Sequence, residues 1–179
     1  MFLYNYGAVF IEPESKNAQT WGSNSIKSVI LNHELRLILM YQIQIINGPN
    51  LNLLGKREPE IYGNQSFEEY FEKLRKEFPN AALHYFQTNH EGDIIDKLHQ
   101  IGFEYDGIIL NPGAYTHYSY AIADAIKAIE VSVVEVHISD IYTREDFRKI
   151  SVTGDNCIKI ISGKGLEGYK MAIEELLRF

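Results

Sequence analysis

The chain has 179 residues, 45% of them hydrophobic and 23% charged, which is ordinary for one globular domain with a single sizeable core. Its formal charge of -7, from 17 Lys and Arg against 24 Asp and Glu, argues against a general nucleic-acid binder, which needs a basic face. A single cysteine, Cys157, excludes an intramolecular disulfide and a thiolate cluster for zinc, which fits a cytoplasmic protein, and no apolar run reaches the ~20 residues needed to span a bilayer.

Residues 1–39 have no steady period, and their turn formers (Pro13, Ser15, Asn17, Gly22, Ser23, Asn24) are scattered. A secretory signal does not fit, because the first residues lack a cation and Glu12 interrupts the apolar patch. A regular pattern begins right after Met40. Residues 1–39 therefore read as an N-terminal extension of unknown role, with Met40 as the true start; the alternative is a docked arm. Residues 40–179 read as one catalytic domain.

From Met40 onward, short apolar runs alternate with helical patterns. The spacing predicts strands over 41–46, 81–88, 106–111, 132–139 and 157–161. Helices are expected from Ser66, over 93–101, over 119–129, as a short element over 144–149, and over 166–178. Ser66 with Glu69 three residues on forms a capping box. Over 119–129, Ala121, Ile122, Ala125, Ile126 and Ile129 share one stripe. Strands alternating with helices imply right-handed crossovers and a covered parallel sheet. The expected fold is therefore α/β: a doubly wound, five-stranded parallel sheet of flavodoxin-like layout. Such sheets bind ligands beyond the carboxyl ends of the strands, where strand order reverses. Three unusual segments follow strands one, three and four: "INGPNLNLLGKREPEIYGNQS", "NPGAYTHYS" and "HISDIYTRED". All three belong on that rim.

Several familiar chemistries do not fit. "GKGLEG" (Gly163 to Gly168) has the spacing of a dinucleotide fingerprint, but it follows the last strand rather than the first, so a tight turn for close helix packing fits better. A phosphoreceiver would need acids at the ends of strands one and three, where Asn47 and Asn111 stand. No metal motif is present: His117 and His137 lie on different loops, and HExxH does not occur. His84, His90 and His99 read as surface residues.

What remains on the rim is Asn50, Arg57, Tyr62, Asn111, His117, Ser139, Arg144 and Arg148. Amides, hydroxyls and arginines suit a small polyhydroxylated carboxylate, and Tyr62 and His137 are able to move protons. Proton abstraction beside a carbonyl with departure of water is open to this set without a cofactor. A non-catalytic binding or assembly protein of the same fold is the competing class.

Taken together, "INGPNLNLLGKREPEIYG", "QTNHEG", "NPGAYTHYSYAIADAI", "EVHISDIYTREDFR" and "GKGLEGY" resemble the type II 3-dehydroquinate dehydratases, over residues 40–179 and in unbroken order. The resemblance implies conversion of 3-dehydroquinate to 3-dehydroshikimate, the third step of the shikimate pathway of aromatic amino-acid biosynthesis. It implies an anti elimination through an enolate, with no cofactor and no metal. Residue by residue, it implies that Tyr62 is the base that removes the proton alpha to the ketone, with Arg57 stabilising tyrosinate. His137 would protonate the leaving hydroxyl, with Glu135 beside it, and Asn50 would help hold the water that stabilises the enolate. Asn111, His117, Asp124, Ile138, Ser139 and Arg148 would bind substrate. A homododecamer, a tetramer of trimers, is implied as the assembly, with Asp124 reaching a neighbour's site; no nucleic-acid or membrane partner is expected. One position departs from the family pattern: Asp140 follows Ser139, where Asn is usual.

The chemistry of the pair is coherent. Tyrosine ionises near pH 10, so a base at pH 7 needs about three units of help, and a cation within ~4–6 Å supplies one to three. Arg57 is five residues from Tyr62 on one loop, punctuated by Gly55, Pro59 and Gly63 as a lid would be.

Overall fold

A computed structural model describes residues 40–56 and 65–178 of the chain. Strand β1 (Tyr41–Asn47) is followed, in chain order, by helix α1 (Phe67–Glu77), β2 (Ala81–Gln87), α2 (Glu91–Ile101), β3 (Gly107–Asn111), α3 (Tyr120–Ala128), β4 (Val133–His137), β5 (Lys159–Ser162) and α4 (Glu167–Leu176). The sheet order is β2-β1-β3-β4-β5, with every pairing parallel. This is the expected doubly wound, flavodoxin-like architecture.

Period-two alternation in the strands sends side chains to two opposed cores. Ile43, Ile45, Ile109, Val134 and Val136 face Phe67, Tyr70 and Leu74 of α1 and Tyr169, Ala172 and Ile173 of α4. Ile46, Ile108 and Leu110 face Ile94, Leu98 and Ile101 of α2 and Ile122, Ala125 and Ile126 of α3. Phe67 is fully buried, and truncating such a ring to alanine costs about 3–5 kcal/mol. It opens α1 at the capping box foreseen from sequence: the Glu69 amide donates to Ser66 Oγ at 3.1 Å, and the Ser66 amide donates to Glu69 Oε2 at 3.3 Å. Ser119 caps α3 by accepting from the Ile122 amide at 3.0 Å.

Two local expectations change. Ala121 is exposed, and Ala123 joins the buried side of α3 instead. The short helix expected over 144–149 is replaced by two single 3-10 turns, Ile141–Thr143 and Asp146–Arg148, with Arg144 extended between them (φ -89, ψ -173). The physical reason is that only Ile141 is buried in this stretch, so no apolar stripe exists to dock a continuous helix.

Register puts Asn47 of β1 directly beside Asn111 of β3, at the switch point of the sheet. Gly48 follows at once. Its amide donates to the Asn111 carbonyl at 2.8 Å, and a Cβ there would lie 2.6 Å from the Pro112 carbonyl oxygen. Glycine is what lets the two loops diverge from so close a contact.

Candidate active site

Beyond that switch point lies a cleft lined by Pro49, Asn50 and Leu51 after β1, by Asn111 at the end of β3 with Gly113 and His117 after it, and by His137 at the end of β4 with Ile138, Ser139, Arg144 and Arg148 after it. Its volume is ≈ 220 Å³, below the roughly 300–1,000 Å³ of sites for drug-sized ligands, so it suits a small ring compound.

The β4 side is the most constrained. Glu135 is wholly buried, and its Oε1 lies 2.7 Å from His137 Nε2. The same carboxylate accepts from Ser151 Oγ at 2.6 Å and from the Thr153 hydroxyl. A carboxylate ringed by donors acts as acceptor, so the imidazole presents N–H at Nε2 and keeps Nδ1 for a ligand. Burial and the Glu135 charge together push the nearby Cys157 thiol up from its ordinary value, so it stays protonated and inert.

Immediately after His137, the "GKGLEG" segment acts as a backbone brace. The Gly163 amide donates to the His137 carbonyl at 3.1 Å and the Gly165 amide to the Ile138 carbonyl at 2.9 Å. Both glycines have positive φ, 73° and 59°. Gly168 brings α4 so close to β4 that a Cβ would meet Val136 Cγ1 at 3.2 Å. The structural reading of this motif holds. Ser139 is engaged by the Arg144 guanidinium, and Ser162 Oγ donates to the Ser139 carbonyl at 3.3 Å. Asp140 is not on the cleft lining: its Oδ1 accepts the Tyr142 amide at 3.0 Å and caps the following turn. A carboxylate in place of the usual amide is therefore spent on the loop.

On the β3 side, His117 Nδ1 lies 2.8 Å from the Ile150 carbonyl, which can only accept, so Nδ1 carries the proton and Nε2 is left for a ligand. Asn111 is held tightly: Oδ1 accepts from the Gly113 amide at 3.2 Å, and Nδ2 donates to Tyr169 Oη at 2.9 Å. On the β1 side, Asn50 adopts a left-handed conformation (φ 67°), and its amide donates to Asn89 Oδ1 at 3.0 Å. The "QTNHEG" segment thus shapes the loop that carries Asn50. Arg148 lines the cleft, with its guanidinium over Phe147 and 3.9 Å from Glu145.

The structure therefore gathers Asn50, Asn111, His117, His137, Ile138, Ser139 and Arg148 on one cleft, with Glu135 directly behind His137. Asp124 lies on the exposed face of α3 and does not line the cleft of its own chain. Arg57 and Tyr62 lie outside the described residues. Ser151, Thr153, Tyr169 and Asn47 were not singled out from sequence as site residues. No group of three or more His, Cys, Asp and Glu among the described residues is arranged to hold a metal ion.

The fold and cleft define a doubly wound α/β protein with a small cleft beyond the sheet's switch point, one wall of which carries the buried Glu135–His137 hydrogen bond. The family model described as Dehydroquinase class II matches residues 41–177. A 3-dehydroquinate dehydratase of Clostridium botulinum (strain Okra / Type B1) is 54% identical over 140 residues, covering 77% of this chain and 95% of that protein. One from Bacillus pumilus is 53% identical over 135 residues, covering 74% and 92%. Among solved structures, the type II dehydroquinase of Butyrivibrio crossotus aligns with a TM-score of 0.74 at 48% identity, covering 77% of this chain and 98% of that one. The chain belongs to the class II dehydroquinase family.

Proposed function

We propose that the chain is a 3-dehydroquinate dehydratase, which removes water from 3-dehydroquinate in the shikimate pathway. The carrying observation is the buried Glu135–His137 pair opening on a small cleft rimmed by amides, histidines and arginine, in a chain whose relatives bear that name. Tyr62 takes the proton alpha to the ketone, and the Arg57 cation stabilises the tyrosinate. The resulting enolate is stabilised through a water held by Asn50. His137 enters this step protonated on both nitrogens, with Nε2–H donated to Glu135, which stabilises the imidazolium; it passes the Nδ1 proton to the departing hydroxyl and is left as the neutral Nε2–H ring. Arg148, the backbone and hydroxyl of Ser139, the Ile138 backbone, His117 and Asn111 hold the carboxylate and hydroxyls of the substrate. Tyr62 gains the alpha proton and His137 gives one to the hydroxide; release of a proton from Tyr62 and uptake of one by His137 restore both groups, so the net change is loss of one water with no redox partner.

The assembly proposed is a homododecamer, a tetramer of trimers, in the cytoplasm, with Asp124 of one subunit reaching the site of the next. Its exposed position on α3, away from its own cleft, is what supports that role. Adding 3-dehydroquinate and following the rise of enone absorbance tests the activity. Steady growth of the enone at catalytic protein concentration is expected; a flat trace with folded protein would refute the reading.

A further inference from the structure

Residues 150–153 form a strap that meets both histidines of the cleft, one directly and one through Glu135. The Ile150 carbonyl accepts from His117, and the Val152 amide donates to the Thr116 carbonyl at 2.8 Å. Between and beyond them, the hydroxyls of Ser151 and Thr153 reach the two oxygens of Glu135: Ser151 Oγ to Oε1 at 2.6 Å, and Thr153 Oγ1 to Oε2. Neither side chain lines the cleft, and Thr153 is fully buried.

The direction of these bonds is fixed by their surroundings. Ser151 Oγ accepts the Gly154 amide at 2.8 Å, which leaves its one proton for Glu135. Glu135 is shut off from bulk solvent, and a buried charge is tolerated only when donors satisfy it. With a hydroxyl on each oxygen, Glu135 meets His137 as an acceptor. Without them, the carboxyl is free to keep a proton and offer it to Nε2, which would reverse the tautomer of the ring.

We infer that Ser151 and Thr153 are positioning residues of the dehydration: their hydroxyls hold Glu135 as the acceptor of the His137 Nε2–H, so that the ring's second proton, the one given to the leaving hydroxyl, is carried on Nδ1. This inference rests on His137 acting as the acid. A purely structural tie between strap and strand would lower stability without altering the ring.

The test uses the full chain carrying Ser151→Ala, Thr153→Val, both together, or Thr153→Ser, with 15N-labelled histidine. Each lost hydroxyl removes a hydrogen bond to a charged group, so kcat should fall about 10- to 100-fold, while KM stays within about twofold. The His137 15N shifts should move from the Nε2–H pattern toward the Nδ1–H pattern, and Thr153→Ser should recover most of the rate and the original shifts. If the double variant does not fold, Thr153→Val against Thr153→Ser decides on the same two readouts. Full kcat in the valine variant, or a lost kcat with unchanged 15N shifts, would overturn the inference. His137→Ala separates the two layers: if it is fully active, the acid assignment itself falls. If it is inactive while Thr153→Val is fully active, only the strap's role falls.

Discussion

Tyr169 donates its hydroxyl to Asn47 Oδ1 across 2.8 Å, joining the last helix to the end of the first strand, 122 residues away. The same phenol oxygen accepts from Asn111 Nδ2 at 2.9 Å, so one side chain closes the switch point between β1 and β3. Removing it in Tyr169→Phe leaves two buried amide groups without that partner, at about 1–3 kcal/mol each. Denaturant unfolding should show a loss of about 2–4 kcal/mol, with the cleft's chemistry affected less than its stability. A change below ~0.5 kcal/mol, the range of ordinary surface substitutions, would show that the network is not structural.

Alkaline stability follows from the same buried phenols. Burial raises Tyr169 and Tyr70 well above the ordinary value and Tyr85 to about 12. Their folded values lie above the unfolded value of about 10, so this stabilising contribution is complete below pH ~10 and is lost as pH rises through the folded values. Unfolding free energy should therefore decline steeply above pH ~10, and Tyr169→Phe should flatten that decline. An equal slope in both proteins would contradict the assignment.

Much of this architecture is legible in the residues, because its causes are local. The apolar runs mark the strands, Ser66 and Glu69 mark a helix start, and the long loops after strands one, three and four mark the rim. The parts that were not legible are made by partners distant in sequence. Glu135 meets Ser151 and Thr153 16 and 18 residues later, and "SVT" carries no sign of that pairing beyond two hydroxyls at alternate positions. Asn47 and Asn111 stand as amides where a phosphoreceiver has acids, but nothing near them announces Tyr169. The failed helix over 144–149 has the opposite cause: its residues tolerate a helix, but they have no buried face to hold one. Asp140 is similar, since only geometry shows its carboxylate capping a turn.

The loop chemistry proposed for Arg57 and Tyr62 makes a paired prediction. Tyr62→Phe keeps the ring and loses the base, so it should bind substrate and lose most turnover at every pH. Arg57→Ala keeps the phenol but returns its ionisation toward pH 10, so raising the pH should partly restore the rate. Steady-state pH profiles decide the matter. Near-normal turnover in Tyr62→Phe would require another base.

Central to the proposed reaction is that His137, held by Glu135, acts on the leaving hydroxyl after the alpha proton has gone. The most direct measurement compares two rates in His137→Ala: washout of the alpha proton of 3-dehydroquinate into deuterated water, and formation of the enone. Loss of a general acid costs about 10²–10⁴-fold in the step it serves and spares the step before it. Exchange should therefore persist near the wild-type rate while enone formation collapses. If exchange and product formation fell together, His137 would act at proton removal or in shaping the cleft, and not as the acid for the departing hydroxyl.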